Sequence, residues 1–373
     1  MAPRTQLRVA GAATAGGTRD YHARLADRFV GDFRRTLAGD LQVSSLGIGT
    51  YLGECDEADD LRYEGAVRDA VAGGINLIDT AINYRCQRSE RAVGAALGAL
   101  AVDGEVRREE IVVCTKGGYI PLDATPPVSR DAYRTYLERE FFAPGVMSPD
   151  DVVAGGHCMA PGYLAHQIAA SQANLRLATL DVYYLHNPEQ QLDAVDRGRF
   201  RLRLRDAFAQ LEERVAAGDI GRYGCATWAG LRSPPDARTH LSLAELVEIA
   251  TEVGGDDHHF RVVQLPINLA MGEAIRQPTQ LLPIKANRAA RLVPLLEAAV
   301  ALGISVVASA TLMQAQLTAG LPPQLAAAFP ALHTDAQRAI AFVRALPGVS
   351  AALVGMKAGD HLEENLGAVR ANG

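Results

Sequence analysis

A closed (β/α)8 barrel, the TIM-barrel form of the α/β class, is what this sequence predicts, and three observations predict it. Eight short apolar runs rich in β-branched residues recur at 45–50, 75–80, 111–115, 181–186, 222–227, 262–267, 304–309 and 351–355. Nearly continuous runs of this kind suit parallel strands buried on both faces. Between them lie segments with apolar residues at helical spacing. Finally, no Gly-x-Gly-x-x-Gly turn follows any run, and polar residues end several runs rather than one. A doubly wound open sheet would gather them at a single crevice, whereas a barrel displays them around its C-terminal mouth.

In chain order, residues 1–32 read as an N-terminal extension, partly disordered, and 33–373 as a single barrel domain. The tail up to about Gly17 is expected to lack structure. A short helix is expected within 18–32, with Leu25, Phe29 and Val30 on one face. Two short strand-like pieces flank the turn at Gly39-Asp40 and predict a hairpin over 33–43. The helical faces that follow include Leu61/Ala66/Val67/Ala70, Ala92/Val93/Ala96/Leu97, Phe208/Leu211/Val215, Leu243/Leu246/Val247/Ile249 and Leu292/Leu295/Leu296/Val300. Gly73-Gly74, Gly218, Gly254-Gly255 and Gly303 stand where those helices should end. The interval between Lys116 and His186 is far too long for one helix and two loops. Its excess, about 119–161, follows a strand's C-terminal end and is expected to form an enlarged lid over the barrel mouth. A second irregular loop, 268–286, is expected to rise from the same face.

Composition narrows the function. A net charge of -6 supplies no basic stripe for nucleic acid and no polybasic membrane anchor. No run approaches the 18 or so apolar residues of a membrane span, and residues 1–16 lack a signal-peptide core. Five dispersed cysteines without a Cys-x-x-Cys pair suit a reduced, cytoplasmic enzyme.

The chemistry gathers at strand ends. Asp79 and Tyr84, Lys116, and His186 close the second, third and fourth runs. A free tyrosine, with a pKa of about 10, is a poor proton donor or acceptor near neutrality. A neighbouring ammonium lowers that value, and a carboxylate holds the ammonium charged and oriented. Lys116 and Asp79 fill those roles if strands two and three are neighbours. His186 would then hydrogen-bond a substrate carbonyl. Taken singly, each residue could serve as a cap or rim residue, but four complementary groups at strand ends point to one site.

That tetrad, in that order on those strands, resembles the aldo-keto reductase family. The resemblance extends over about 33–369, outside the insertion, through the segment 43–50, the approach to Asp79 from Gly73, the Ser89-Glu90-Arg91 stretch, 211–224, Gln264 and 361–365. It implies NAD(P)(H)-linked interconversion of a carbonyl and an alcohol, with Tyr84 as general acid–base supported by Lys116, Asp79 and His186. It also implies a cofactor site from Gly49, Thr50, Thr227, Gln264, Ser309, Lys357, His361, Glu364 and Asn365. Two positions depart from the family's pattern. Ala226-Thr227 replaces the usual Ser-Asn that holds the carboxamide, and Ser309 replaces the ring that stacks on nicotinamide. Lys357 and His361 suit a 2′-phosphate and favour NADP(H) over NAD(H), although Asp360 could instead grip a ribose as NAD sites do.

The remaining signals are minor. His157, Tyr163 and Trp228 are candidate substrate contacts, with packing or a lid hinge as the alternative. No metal site is expected: the spacing of Cys86, His157 and Cys158 matches no common zinc pattern, and Asp257-His258-His259 lies at the opposite rim. The expected partner is a small carbonyl or alcohol, and the lid suggests a sugar or other polar metabolite. A nucleotide-binding sensor subunit and cofactor-assisted elimination or epimerisation are the alternative readings. Oligomeric state is not legible.

Overall fold

The computed structural model describes residues 8–123, 126–282 and 290–370. Eight parallel strands close into a barrel: β1 (Leu46–Gly49), β2 (Leu77–Asp79), β3 (Val112–Gly117), β4 (Leu180–His186), β5 (Ile220–Ala226), β6 (Phe260–Pro266), β7 (Ser305–Ser309) and β8 (Val349–Gly355). They pair in chain order, and β8 returns to β1. Each expected apolar run is one of these strands.

The runs are continuous because both strand faces are covered. Inside the barrel, Leu77, Val112, Val182, Val262, Val307 and Leu353 form one cluster with the hairpin residues Leu37, Leu41 and Val43. The opposite faces pack against the helices in a second, larger cluster. The hairpin pairs Arg34–Leu37 with Leu41–Ser44. Ser305 Oγ at the start of β7 accepts from the Ala38 amide, and Ser350 Oγ donates to the Thr36 carbonyl. The hairpin therefore stoppers the end where the strands begin and leaves the other end for chemistry.

Helical periodicity located the helices but misjudged some faces. In Glu57–Ala72 the buried side is Tyr63, Ala66, Val67 and Ala70, whereas Leu61 is 63% exposed. Leu292 belongs not to a helix but to a short strand, Arg291–Val293, paired with Gln280–Leu282. Pro294 caps the helix that follows, Leu295–Leu302, because a proline ring suits the start of a helix and not its interior. The rest of that expected loop, 283–286, lies outside the described residues.

The N-terminal expectation is corrected. Residues 1–7 lie outside the described residues, but from Val9 the chain is held in place. The Val9 amide donates to the Arg176 carbonyl at 2.7 Å, and the Ala13 amide to Asp181 Oδ1 at 2.6 Å. The helix runs Ala15–Ala23 rather than within 18–32, with Thr14 as its cap. Gly17 permits this: a Cβ there would lie 2.4 Å from the Glu109 carbonyl oxygen. The residues expected on the later helix face separate, with Phe29 buried on Phe33 and Val30 exposed.

Between β3 and helix Pro161–Leu175, the inserted segment folds around its own small core of Ile120, Leu137, Phe141, Met147, Cys158 and Tyr163. It contains helix Arg130–Leu137, which widens into a π-helical turn at Glu138–Phe142. The segment is tied back at its neck, where Tyr119 bridges His157.

Candidate active site

The centre of the barrel mouth is a charge cluster in a dry setting. Lys116, from the end of β3, donates to Asp79 Oδ1 at 2.6 Å and to the Thr80 carbonyl at 2.8 Å. Asp79 Oδ2 accepts from Gln264 Nε2 on β6 at 2.7 Å. Both carboxylate oxygens are thus engaged, and the two charged side chains are only 1% and 6% exposed. A buried ion pair needs such saturation, because unpaired charge in the interior is costly. Desolvation works against the Lys116 charge, yet Asp79 and Tyr84 together hold its pKa above the ordinary value.

Tyr84 follows β2 and lays its ring 4.9 Å from Lys116 Nζ. Its other neighbours are His186, with ring centroids 5.8 Å apart, and Tyr51 at 5.0 Å. The tetrad residues are therefore brought together. The direction of the Tyr84 shift differs from the expectation. Desolvation raises the phenol above its usual value and outweighs the lowering pull of Lys116. The hydroxyl keeps its proton at neutral pH. His186 is shifted the other way: burial and then Lys116 push it well below the usual imidazole range, so it is neutral. Its Nδ1 has no hydrogen-bond partner among the described residues.

His157 and Tyr163 require correction as substrate contacts. His157 is buried behind His186: its Nε2 donates to the His186 carbonyl at 2.8 Å, and its Nδ1 accepts from Gln191 at 2.7 Å. Burial lowers it to about 4, and both ring nitrogens are used internally. Gly118 makes room for this ring, since a Cβ there would lie 2.9 Å from His157 Nε2, and its φ of +136° suits glycine alone. Tyr163 is fully buried and donates to the Tyr119 carbonyl, within the insertion's core. Trp228 is half exposed beyond β5.

The other expected positions divide by location. Gly49 pairs with Asp79 across β1 and β2, and the buried Thr50 donates its amide to the Asp79 carbonyl. Thr227 is buried beyond β5, with Oγ1 unpartnered among the described residues. Ser309 is half-buried at the end of β7. Beyond β8, Lys357 is already paired with the buried Asp59 at 2.9 Å, His361 is exposed, Glu364 is half-buried and Asn365 is buried.

Sequence reasoning missed three contributors. Tyr51 follows Thr50, and Tyr119 follows the glycine pair after Lys116; Tyr119 packs edge-on against His186 at 4.9 Å. Their strand-end positions were the available signal. Glu189 was not foreseeable. Its Oε1 accepts the amides of Trp228, Ala229 and Gly230 at 2.9–3.1 Å and anchors the loop beyond β5. A separate cavity of about 330 Å³ lies under the insertion, lined by Ile82, Gln87, Tyr136, Phe141 and His166 among others, beside the tetrad rather than within it.

The arrangement places a protonated phenol against a fixed ammonium, with a neutral imidazole opposite. Such a set can give a proton to an oxygen and stabilise the phenolate left behind. The model of the aldo/keto reductase family matches residues 45–241. In fold the chain is similar to an aldo/keto reductase from Klebsiella pneumoniae solved with NADP and acetate (TM-score 0.57, 19% identity, 90% of this chain and 89% of that one). It is also similar to the holo form of an aldo-keto reductase from Bacillus halodurans (TM-score 0.57, 18% identity, 90% of each chain). No curated protein matches the chain in sequence. Among the described residues no helix is long and apolar enough to cross a membrane.

Proposed function

The chain belongs to the aldo/keto reductase family and is an oxidoreductase, and on that premise we propose that it reduces a small carbonyl compound with a nicotinamide cofactor. The observation that carries this reading is the Tyr84 phenol held beside Lys116 within the saturated Asp79–Gln264 cluster. Tyr84 donates its proton to the carbonyl oxygen. Lys116 then stabilises the phenolate, and Asp79 keeps the ammonium in register. His186, as a neutral imidazole, orients the same oxygen.

The residues suit a nicotinamide cofactor. Thr227 Oγ1 is a buried, unpartnered polar atom at the strand end where the family holds the carboxamide. When bound, the cofactor supplies hydride to the carbonyl carbon. We favour NADP(H) because Lys357 stands beyond β8 with its side chain 35% exposed, so an incoming phosphate can share it with Asp59. Half-exposed Tyr51 and Trp228 at the mouth offer flat apolar faces, which supports a sugar or similar polar metabolite as substrate.

The decisive experiment is Tyr84→Phe. Turnover of carbonyl substrates should fall by about 100- to 10,000-fold, while nicotinamide binding followed by fluorescence stays near wild type. Undiminished turnover in the Phe variant would rule the assignment out.

A further inference from the structure

Two cysteines meet beside Tyr84, and the mechanism above uses neither. Cys55 lies in the loop after β1 and Cys86 in the turn after β2, and their Sγ atoms are 3.3 Å apart. Cys55 is exposed, whereas Cys86 is 8% exposed. The contact is built rather than incidental. Arg85, next to Cys86, donates from Nε to the Glu54 carbonyl at 2.7 Å and from Nη2 to the Asp56 carbonyl at 3.1 Å. Those carbonyls bracket Cys55. The same guanidinium pairs with Asp60 at 2.8 Å and lies over the Tyr63 ring.

The turn itself is unusual. Arg85, Cys86 and Gln87 all have left-handed backbone, with φ of 48°, 53° and 68°. Successive non-glycine residues adopt this region only where the surroundings impose it, commonly at functional sites. Thiols that only fill space are expected in a core. Cys114, Cys158 and Cys225 fit that description, but Cys55, facing solvent, does not.

We propose that Cys55 and Cys86 are an oxidative modification site, forming a reversible intramolecular disulfide that slows turnover. With a hydroperoxide as oxidant, the exposed Cys55 sulfur attacks the O–O bond and becomes a sulfenic acid, releasing water or an alcohol. Cys55 faces solvent whereas Cys86 is buried, so the peroxide reaches Cys55 first. Cys86 sulfur then gives up its proton and attacks Cys55 sulfur. The S–S bond forms, the S–O bond breaks and water leaves, so two electrons have passed from the thiols to the peroxide.

Forming that bond brings the sulfurs to about 2.05 Å. Both loops must shift, and they carry Tyr51 and Tyr84, whose rings are in contact. A displacement of roughly 1 Å at a catalytic group costs on the order of 100-fold in rate. This consequence rests on the proposed role of Tyr84; the disulfide itself does not.

The test oxidises the full-length protein with hydrogen peroxide and follows it by non-reducing peptide mapping, thiol titration and carbonyl turnover. The expected result is a Cys55–Cys86 linked peptide and, with the thiols titrated in denaturant, a fall from five to three (five minus the two joined). Turnover should drop at least about tenfold and return with dithiothreitol. Cys55→Ser and Cys86→Ser should each keep turnover under peroxide. Over-oxidised Cys55 without the linked peptide would overturn the site. A linked peptide with unchanged turnover would overturn its control of catalysis. If the reduced protein turns over no carbonyl, the reductase reading fails, and the peptide map alone decides the disulfide.

Discussion

Two lysine–aspartate pairs stand at the open end of the barrel, and their settings differ. Lys116 and Asp79 are both sealed in, with every carboxylate oxygen engaged and the ammonium shared between Asp79 and a carbonyl. In the other pair Asp59 is buried, holding Lys357, Arg62 and the Glu54 amide, but Lys357 itself is 35% exposed. A charge closed in on all sides can only be used where it stands, which suits stabilising a phenolate. A charge half open to water can change partners, which suits an arriving phosphate.

The sharpest way to break this comparison is Lys116→Met. It leaves Asp79 uncompensated in the interior, so unfolding free energy should fall by about 3–5 kcal/mol, measured in denaturant, and turnover should collapse with it. A wild-type midpoint would show that the first pair is not dry. Lys357→Met should be milder and selective. NADPH affinity should weaken about tenfold with NADH affinity unchanged, and the unfolding midpoint should fall less than in Lys116→Met, because Arg62 and the Glu54 amide still hold Asp59. Equal losses for both cofactors would remove the phosphate role.

Two pH measurements sharpen the contrast. The desolvated Tyr84 phenol retains its proton through neutrality, so reduction should be flat with pH until it rises past the ordinary tyrosine value of about 10. Alcohol oxidation, which needs the phenolate, should increase with pH instead. The smallest effect concerns Asp59, which Lys357 above all holds well below the usual carboxylate range. A depressed folded-state value contributes stability that is complete above the unfolded value of about 4 and is lost as pH falls below it. Thermal unfolding followed from neutral pH into acid should therefore be less steeply pH-dependent in Lys357→Met than in the wild type.

Why the strands were legible and the lid residues were not has a physical cause. Burial on both faces writes a continuous apolar run, so all eight strands could be read directly. The tetrad was readable because strand ends fix direction: Asp79, Lys116 and His186 could face only one mouth. His157 had no such constraint. Its orientation depends on Gln191 and on the His186 carbonyl, which lie about 30 residues further along the chain, and periodicity carries no information about such partners. The N-terminal helix was misplaced because Gly16-Gly17 reads as a breaker, whereas contact with the Arg108–Glu110 turn demands the small residue. Tyr51 and Tyr119 were overlooked despite standing beside strand ends already singled out.

The stopper at the closed end links the chemistry of assembly to the order of synthesis. Leu37, Leu41 and Val43 are synthesised well before β8, yet they rest against Ala351 and Leu353 of that strand. Throughout translation this oily ribbon lacks its final neighbours. A nascent chain halted short of β8 would leave that flank of the ribbon uncovered and present it to chaperones.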